Sequence, residues 1–549
     1  MNTAISFDAA DLDTETPIGI DVATREFLRA KFRYSNDKIH HCVCPNQDAF
    51  ELFLKYANND GVESQQCRSI NPQNFEFHDV SIFFRYDPAI IKNALARTSF
   101  NKNLYSIVGI AHACASSSVN SLIGRYIGAP IYPWDALICP SKSIRSAIQS
   151  LLKTHQDMVY SQFGIKAECP LQLPIIPIGV DTQKFDNNKN LGRRAAIRNI
   201  LGTSDDTIVI LYVGRLNFIS KSNLLPLALS AKEVATQTNK KIELLFYGYF
   251  ADKLNEEAFY ETLNTVCPEI KFYLVKNGDK RFPDGVWACA DIFCSMSDNI
   301  QESFGITPLE AMASSIPVLV SDWDGYRETV KNGIDGFTIP TYMPPPGNGK
   351  DIADLYHREK ISYGDYLGAT SQSTVIDIVQ LTQKLSVLVS NKDLRLKMGN
   401  LGKLRMQKEY DWCHIISAYE TLWLELEKER QTSLDKSSPV VPSDYKNTHP
   451  DPFFIFREFA TCSIDLSGKI SLSITDWEQT LKRIGLKMSL ILPTTLIPLD
   501  DLPILLGEIE KQKTTSIKIL IERLPVYDSI KLLRTIAWLA KIGICRYIP

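Results

Sequence analysis

Short apolar runs that alternate with helical patterns occur twice along the chain, and this alternation restricts the fold more than any other feature. In the second series, which begins at Thr207, the runs are TIVILYVG, KIELLFYG, IKFYLV, DIFCS and IPVLVSD. Helical patterns such as Leu224–Thr236 lie between them. Strands that alternate with helices predict an α/β fold, with a parallel sheet covered by helices on both faces.

The first series occupies residues 1–178 and has the same character. The expected strands are Ile5–Phe7, Ile39–Cys44, Tyr105–Ala111 and Ala136–Cys139. The expected helices are Asp21–Tyr34, Asp48–Tyr56 and Ser141–Leu152, with Ser141 as the N-cap. The stretch PLQLPIIPIGVDTQKF then predicts a connection between two domains, because each of its prolines restricts the neighbouring backbone.

These patterns divide the chain into five segments. Residues 1–178 are expected to form an N-terminal α/β domain, 179–409 a second one, and 410–430 a closing helix. Residues 431–449, rich in Ser, Asp, Lys and Pro, predict a linker to an accessory domain at 450–549. The end of that domain predicts an amphipathic helix and a short strand, loosely like a winged-helix module. Its role is open between protein contact, self-association and a stabilising appendage.

Composition and charge exclude several classes of protein. With 549 residues, 44% of them hydrophobic, the chain is neither disordered nor collagen-like. A net charge of −3 argues against a nucleic-acid partner, because such binders need surplus Lys and Arg. The N-terminus lacks the pattern of a secretory signal, and no apolar run approaches the ~20 residues of a membrane span. We therefore expect a cytoplasmic protein, with peripheral membrane contact left open.

The cysteines predict reduced thiols, because the twelve of them are scattered without a repeat. One close pair, Cys42 and Cys44, follows His40 and His41 directly. A metal site and an ordinary strand both fit this cluster. The strand is favoured, because no second group of ligands has matching spacing.

Two cations follow the strand that ends at Gly214. In YVGRLNFISK, Arg215 and Lys221 lie within the expected strand-to-helix loop. An Arg can grip a diphosphate with two parallel hydrogen bonds, and a Lys adds a point charge. The alternative is a solvated loop with ordinary surface cations.

Two carboxylates lie eight residues apart in NIQESFGITPLEAMAS. A structural reading gives Thr307 as N-cap, Pro308 as the first helical residue and Glu310 as the third, which is a capping box. A functional reading lets the turn at Gly305 and the helix N-terminus face an anion. Glu302 would then bind sugar hydroxyls and Glu310 a ribose diol. Both readings of Glu310 stay open.

His112 directly follows a buried strand, in VGIAHACASSS. A histidine at the carboxyl end of a strand can hydrogen-bond a ligand or transfer protons at a cleft. A structural histidine satisfied within the fold is the alternative.

Together these segments resemble the retaining glycosyltransferases of the GT-B fold, specifically family 4. The resemblance covers Tyr105–Arg430 and is strongest over Val209–Gly336. The block ESFGITPLEAMASSIPVLVSDWDGYRETVKNGIDGF resembles the family's E-x7-E motif, and YVGRLNFISK its donor-phosphate loop. The stretch IIPIGVDTQKF is similar to the family's interdomain segment.

The resemblance implies two Rossmann-like domains facing a cleft, here with a small appended C-terminal α/β domain. It implies sugar transfer, with retention of configuration, from a nucleotide-diphosphate sugar to an acceptor hydroxyl in glycan or polysaccharide biosynthesis. A UDP- or GDP-sugar is the expected donor, and a glycan, a lipid-linked sugar or a protein the acceptor. No cofactor and no metal are expected. A non-catalytic nucleotide-sugar-binding or scaffold protein on the same fold is the alternative.

The resemblance also assigns roles to residues. His112 and Glu302 are the expected catalytic residues, and Gly19 is the only glycine before the first helix that could serve as the family's N-domain turn. Asp322 and Asp324, in SDWDG, are the one Asp-x-Asp pair in the donor region, and we favour a plain polar loop over a metal site there. The donor is expected to contact Arg215, Lys221, Glu302, Ser303, Phe304, Gly305, Ile306 and Glu310.

Overall fold

The chain forms two compact units, Met1–Thr448 and His449–Pro549. The structure is a computed structural model. It describes residues 2–7, 19–71, 80–98, 102–189, 191–282, 285–433, 451–461, 463–473, 476–484, 488 and 490–549.

The first half of the larger unit is a parallel six-stranded sheet with the order β3-β2-β1-β4-β5-β6. Its strands are β1 (Thr3–Ser6), β2 (His40–Val43), β3 (Cys67–Ile70), β4 (Ile82–Phe84), β5 (Ser106–Ile110) and β6 (Ala136–Ile138). Its helices are α1 (Gly19–Tyr34), α2 (Gln47–Asn59), α3 (Ile91–Thr98), α4 (Ser117–Arg125) and α5 (Lys142–Phe163). The hydroxyl of Ser141 accepts a hydrogen bond from Ile144 N at 3.1 Å, which confirms the predicted N-cap of α5.

The second half repeats the design in a sheet with the order β12-β11-β10-β7-β8-β9, whose paired strands are all parallel. Its strands are β7 (Ile208–Val213), β8 (Ile242–Tyr247), β9 (Lys271–Val275), β10 (Ile292–Ser295), β11 (Val318–Ser321) and β12 (Gly336–Ile339), followed by the antiparallel pair β13 (Thr341–Tyr342) and β14 (Val375–Ile376). Its helices are α6 (Leu191–Leu201), α7 (Leu225–Thr238), α8 (Lys253–Val266), α9 (Thr307–Ala313), α10 (Tyr326–Thr329), α11 (Lys350–His357), α12 (Tyr363–Gln372), α13 (Ile378–Ser390) and α14 (Lys392–Arg405).

Both sheets have the strand order of a Rossmann fold, in which the order reverses beside the first strand. In the second sheet the reversal lies between β7 and β10, which pair in parallel. Loops that leave two such strands diverge to opposite faces, and ligands bind in the crevice between them. Residue burial fits this topology: every residue of β7 and of β10 is buried, as expected for strands covered on both faces.

The long helix α15 (Trp412–Thr432) returns to the first sheet and packs against it. Tyr419 and Trp423 contact Phe84 of β4, and Tyr419 also meets Phe27 of α1 at a ring-centroid distance of 4.9 Å. At the end of α15 the guanidinium of Arg430 donates to Asn103 O at 2.7 Å. The buried apolar face of this helix, which corresponds to the predicted closing helix at 410–430, therefore covers the N-terminal domain.

The smaller unit has its own core and a three-stranded antiparallel sheet in the order β16-β15-β17. Its strands are β15 (Lys469–Leu472), β16 (Thr515–Ser516) and β17 (Cys545–Ile548). Its helices are α16 (Pro452–Ile455), α17 (Trp477–Ile484), α18 (Leu502–Gln512), α19 (Ile517–Arg523) and α20 (Ser529–Lys541). The predicted terminal helix and strand correspond to α20 and β17. Across the described parts of both units, no helix combines the length and apolarity needed to span a membrane.

We expect replacement of Trp423 by Ala to destabilise the larger unit by about 3–5 kcal/mol. The Trp423 side chain is fully buried between Phe84, Tyr419 and the ammonium of Lys31, so its removal leaves a cavity. Chemical denaturation followed by fluorescence and circular dichroism measures the change. Leu424→Ala is the matched control, because Leu424 lies on the same helix and is 57% exposed. Equal small effects of both substitutions would contradict the packing of α15 on the first sheet.

Candidate active site

A cavity of about 850 Å³ lies between the two Rossmann-like domains, at the carboxyl ends of their strands. Val22 and Ala23 of α1 and His112, just beyond β5, line it from the first domain. The loop after β7 and the loop after β10 line it from the second. The sequence-predicted residues that line it are His112, Arg215, Lys221, Glu302, Ser303, Phe304, Gly305, Ile306 and Glu310.

The β7–α7 loop (residues 214–224) brings Arg215 and Lys221 to the cavity. The side-chain oxygen of Asn217 shapes this loop by accepting hydrogen bonds from Ile219 N at 2.9 Å and Ser220 N at 2.8 Å. Lys221 Nζ donates to Glu302 Oε2 at 2.5 Å. Among the described residues, the Arg215 guanidinium forms no hydrogen bond or ion pair. It therefore faces the cavity as an uncompensated positive charge.

The β10–α9 loop (residues 296–306) brings Glu302 to the same place, with its side chain 8% exposed. Gly305 in this loop has φ +80°, and a Cβ on it would lie 1.9 Å from the Tyr326 ring. Only glycine fits both requirements. The turn therefore fixes the backbone between Glu302 and the start of α9.

Glu310 faces the cavity and does not belong to a capping box, so the predicted cap at Thr307 is wrong. The turn at Gly305 lets the helix begin one residue early: Ile306 already has helical φ and ψ and serves as N-cap without a side-chain hydrogen bond. Burial raises the pKa of Glu310 to about 7, with the nearby Lys184 lowering it and Glu26 raising it to smaller extents. The carboxyl is thus poised between neutral and charged forms near physiological pH.

His112 approaches the cavity from the opposite domain. Burial lowers the pKa of its imidazole to about 4, against smaller opposing effects of a hydrogen bond to the backbone of Tyr86 and of the Asp87 carboxylate. Its Nε2 is buried and has no partner among the described residues. His112 is therefore a neutral ring with one unused polar atom, suited to hydrogen bonding with a ligand.

Cations outnumber carboxylates around the cavity. Lys184 and Arg193 line it in addition to Arg215 and Lys221, while its carboxylates are Glu302 and Glu310. Lys221 already pairs with Glu302 and Lys184 with Glu26 at 3.7 Å, while burial favours the neutral form of Glu310. The excess positive charge suits an anionic ligand, and two cations with a spacing set by one loop suit a diphosphate.

The remaining sequence candidates lie elsewhere. The Ser141 hydroxyl donates to Asp324 Oδ1 at 2.7 Å, and Asp322 pairs with Arg327 at 3.7 Å, so the two carboxylates do not converge. Gly19 is the first residue of α1. His40, Cys42 and Cys44 lie in or beside β2 and are buried. The described residues contain no group of three or more His, Cys, Asp or Glu side chains that could hold a metal ion.

Residues 193–360 match the family model described as glycosyl transferases group 1. The match includes Arg215, Lys221, Glu302 and Glu310 but not His112. An uncharacterized glycosyltransferase of Methanocaldococcus jannaschii is 28% identical over 228 residues, or 41% of this chain and 53% of that protein. A D-inositol 3-phosphate glycosyltransferase of Geodermatophilus obscurus is 27% identical over 222 residues, or 38% of this chain and 46% of that protein. The chain thus spans about half the length of the curated relatives it matches.

Two solved structures share the architecture. HepE from Anabaena, crystallised with UDP, superimposes with a TM-score of 0.51 at 13% identity, covering 77% of this chain and all of that one. A glycosyltransferase from Rickettsia africae gives 0.50 at 15% identity, covering 80% and 99% of the two chains. With the two parallel six-stranded sheets, these matches establish the GT-B fold.

Several cavity residues were missed by sequence reasoning although a usable signal exists. Tyr247 ends β8, Tyr249 follows it, and Asn277 follows β9. They obey the same rule that found Arg215, namely that loops at the carboxyl edge of a parallel sheet carry ligand contacts. Trp287 and Arg193 carry no comparable signal, because they lie far from any strand end in the sequence.

We expect Glu310→Gln to change how stability depends on pH. A pKa raised to about 7 means that the folded protein holds the proton more tightly than the unfolded chain does. The wild type should therefore lose about 2 kcal/mol of stability relative to Glu310→Gln as pH rises from 4.5 through 7. Denaturation at pH 5 and pH 8 measures this difference. Glu256→Gln, at an exposed position, is the control. The same dependence of stability on pH in all three proteins would refute a Glu310 that holds its proton more tightly in the folded state.

Proposed function

We propose that the protein is a retaining hexosyltransferase that moves a sugar from a nucleotide-diphosphate sugar to an acceptor hydroxyl, as family 4 enzymes do. The observation that carries the proposal is the pair of cations at the strand-order reversal. Arg215 has no partner among the described residues, and Lys221 meets Glu302 at 2.5 Å across the crevice between β7 and β10. A diphosphate with a sugar attached satisfies both the cations and the carboxylate.

In this proposal the donor lies across the second domain. Arg215 and Lys221 hold the diphosphate, and the backbone N–H groups of residues 303–306 face it. Glu302 accepts hydrogen bonds from sugar hydroxyls, and Glu310 binds the ribose diol. The relative with bound UDP supports a uridine donor, and a GDP-sugar fits the same residues. The acceptor is a glycan, a lipid-linked sugar or a protein, in glycan or polysaccharide biosynthesis.

The chemical step breaks the bond between the anomeric carbon and the diphosphate oxygen and forms a bond from that carbon to the acceptor oxygen. The acceptor attacks on the face that the diphosphate leaves, so configuration is retained, and its proton passes to the departing phosphate oxygen. Arg215 and Lys221 stabilise the charge that develops on the leaving group, which is the usual source of large rate effects. No metal is needed in this scheme.

In this scheme His112 contacts the donor sugar directly, in keeping with its predicted catalytic role. With a pKa of about 4, the imidazole of His112 is neutral near pH 7, so it does not act as a charged proton donor. Its unpartnered Nε2 accepts a hydrogen bond from a donor-sugar hydroxyl. The first domain thereby helps to orient the sugar and to close the cavity against water, whose attack is the competing reaction.

A thermal-shift panel with UDP, GDP, ADP, TDP and CMP, each with and without Mg²⁺, tests the proposal. A nucleotide at ~100 times its dissociation constant should add about 2.7 kcal/mol of stability. One diphosphate should stand out without Mg²⁺ and identify the donor base for activity assays. A shift that depends on Mg²⁺ would contradict the metal-free scheme. Binding without turnover on any acceptor class would favour the non-catalytic alternative.

We expect Arg215→Ala to weaken binding of the selected nucleoside diphosphate about 10–100-fold, the usual loss for a hydrogen bond to a charged group. Isothermal titration calorimetry measures the affinity. Arg358→Ala is the matched control, because Arg358 is exposed, pairs only with Asp354 among the described residues and does not line the cavity. An affinity unchanged from that of the control would remove Arg215 from the site.

We expect Glu302→Gln to lower transfer about 100-fold or more while leaving diphosphate affinity equal or higher. The substitution removes the carboxylate that accepts from the sugar, and it also releases Lys221 from its ion pair. Initial rates and calorimetry on the same variant separate the two effects. Transfer at the wild-type rate, or affinity lost in parallel with rate, would sink the assigned role of Glu302.

A further inference from the structure

Besides the contact between Lys221 and Glu302, three hydrogen bonds from side chains to backbone carbonyls join the β7–α7 loop to the β10–α9 loop among the described residues, across about 80 positions of sequence. Ser222 Oγ donates to Met296 O at 2.7 Å, and Ser297 Oγ donates to Lys221 O at 3.3 Å. Asn299 Nδ2 donates to Ile219 O at 2.7 Å. All three bonds run from a side chain of one loop to the backbone of the other, so they fix the spacing between the loops.

Of the three donors in these bonds, Asn299 lies nearest to Glu302 in the sequence. Its side chain is fully buried, and while Nδ2 donates to Ile219 O, its Oδ1 accepts from Gln301 N at 3.0 Å. The orientation of the amide is settled by its partners, because a carbonyl can only accept and a backbone N–H can only donate. The amide of Asn299 therefore links the carbonyl of Ile219, two residues before Lys221, to the N–H of Gln301, the residue before Glu302.

The backbone of Asn299 adds to this arrangement. Its carbonyl accepts from Glu302 N at 3.1 Å and from the indole of Trp323 at 3.0 Å. The turn that presents Glu302 is thereby held at both ends. A substitution of the side chain leaves these backbone bonds in place, so it isolates the connection to the β7–α7 loop.

We propose that Asn299 is a positioning residue of the donor site, setting the distance between Lys221 and Glu302 through the Ile219 carbonyl. Asn299 is not among the residues that line the cavity, so it acts through others. Lys221 and Glu302 meet across the two loops, so a change in the spacing of the loops changes the distance between them. Small displacements at a reacting site lower rates about 100-fold. The effect of Asn299 on ligand binding rests on the proposed function, whereas its effect on the spacing of the two loops does not.

The first test needs no ligand. In Asn299→Asp the carboxylate can still accept from Gln301 N, but it cannot donate to Ile219 O and repels that carbonyl. Hydrogen exchange of the amides of residues 217–222 should become at least tenfold faster in this variant. Asn93→Ala is the matched control, since Asn93 is also buried but lies in the first domain. Exchange of residues 217–222 unchanged from wild type would overturn the proposal, whatever the function proves to be.

The second test measures whether Asn299 acts through Lys221. Binding of UDP, GDP and inorganic pyrophosphate is compared in wild type, Asn299→Asp, Lys221→Ala and the double variant. Asn299→Asp should weaken binding of the diphosphate that the wild type prefers by about tenfold or more, and should have little effect once Lys221 is absent. A loss that is the same in both backgrounds would indicate a general structural effect and contradict the proposal.

The two tests separate two failures. Faster exchange of residues 217–222, together with a wild-type protein that binds none of the three probes, would refute the proposed donor and leave the loop-positioning role of Asn299 standing. Normal exchange with normal diphosphate binding would refute Asn299 and leave the proposed function standing.

Discussion

The cavity depends on the parallel pairing of β7 with β10. Ile210 pairs with Ile292 and Leu211 with Phe293, so both strands end at the same edge of the sheet. Their outgoing loops diverge, and the space between them is where Lys221 of one loop meets Glu302 of the other. The backbone just beyond β8 also lies close to the end of β7. A Cβ added to Gly248 would be only 1.9 Å from Gly214 O. Backbone proximity at this edge therefore determines both the shape of the cavity and the contacts within it.

Electrostatics at this edge follow from burial and pairing. Lys221 has a partner, Arg215 has none among the described residues, and Glu310 tends towards its neutral form because burial disfavours the charge. In the proposed function, a diphosphate would compete with Glu302 for Lys221, and it would meet in Arg215 a guanidinium that has no partner among the described residues. Release of Glu302 from Lys221 would then leave its carboxylate available to sugar hydroxyls. Under that proposal, one ion pair couples phosphate binding to sugar binding.

The sequence was informative where burial on both faces or a capping side chain leaves a local pattern. β5, β7, β8 and the start of α5 were predicted close to their observed bounds, because continuous apolar runs and the Ser141 cap are visible without knowing the fold, whereas α5 continues to Phe163, beyond the predicted end at Leu152. β3 and β4 were not predicted, and the sequence of β3, CRSI, has no continuous apolar run to reveal it. The motifs at Arg215 and Glu302 likewise identified the walls of the cavity before their geometry was known.

What the sequence concealed depends on contacts between distant residues. A helix start one residue earlier than expected, caused by Gly305 against Tyr326, removed the capping role of Thr307. The spacing of Asp322 and Asp324 suggested a pair, but Asp324 turns to Ser141 in the other domain, 183 positions away. Asn299 carries no motif, and its importance lies in a hydrogen bond to a residue 80 positions earlier. Such contacts are set by the topology, which local patterns do not encode.

Two hydrogen bonds between the two Rossmann-like domains fall on the segment that supports the β10–α9 loop. Asp324 accepts from Ser141, and Glu328 accepts from Lys142 N at 2.6 Å, so carboxylates of the second domain satisfy groups at the N-terminus of α5 in the first. Between them, Tyr326 packs under Gly305 and shares a hydrogen bond of 3.0 Å with Ser295 at the end of β10. A displacement of α5 relative to the second domain must therefore break the hydrogen bonds of Asp324 and Glu328. These two residues lie on either side of Tyr326, which packs against Gly305 in the loop that carries Glu302. The first domain affects the cavity both through His112 at its wall and through this segment beneath it.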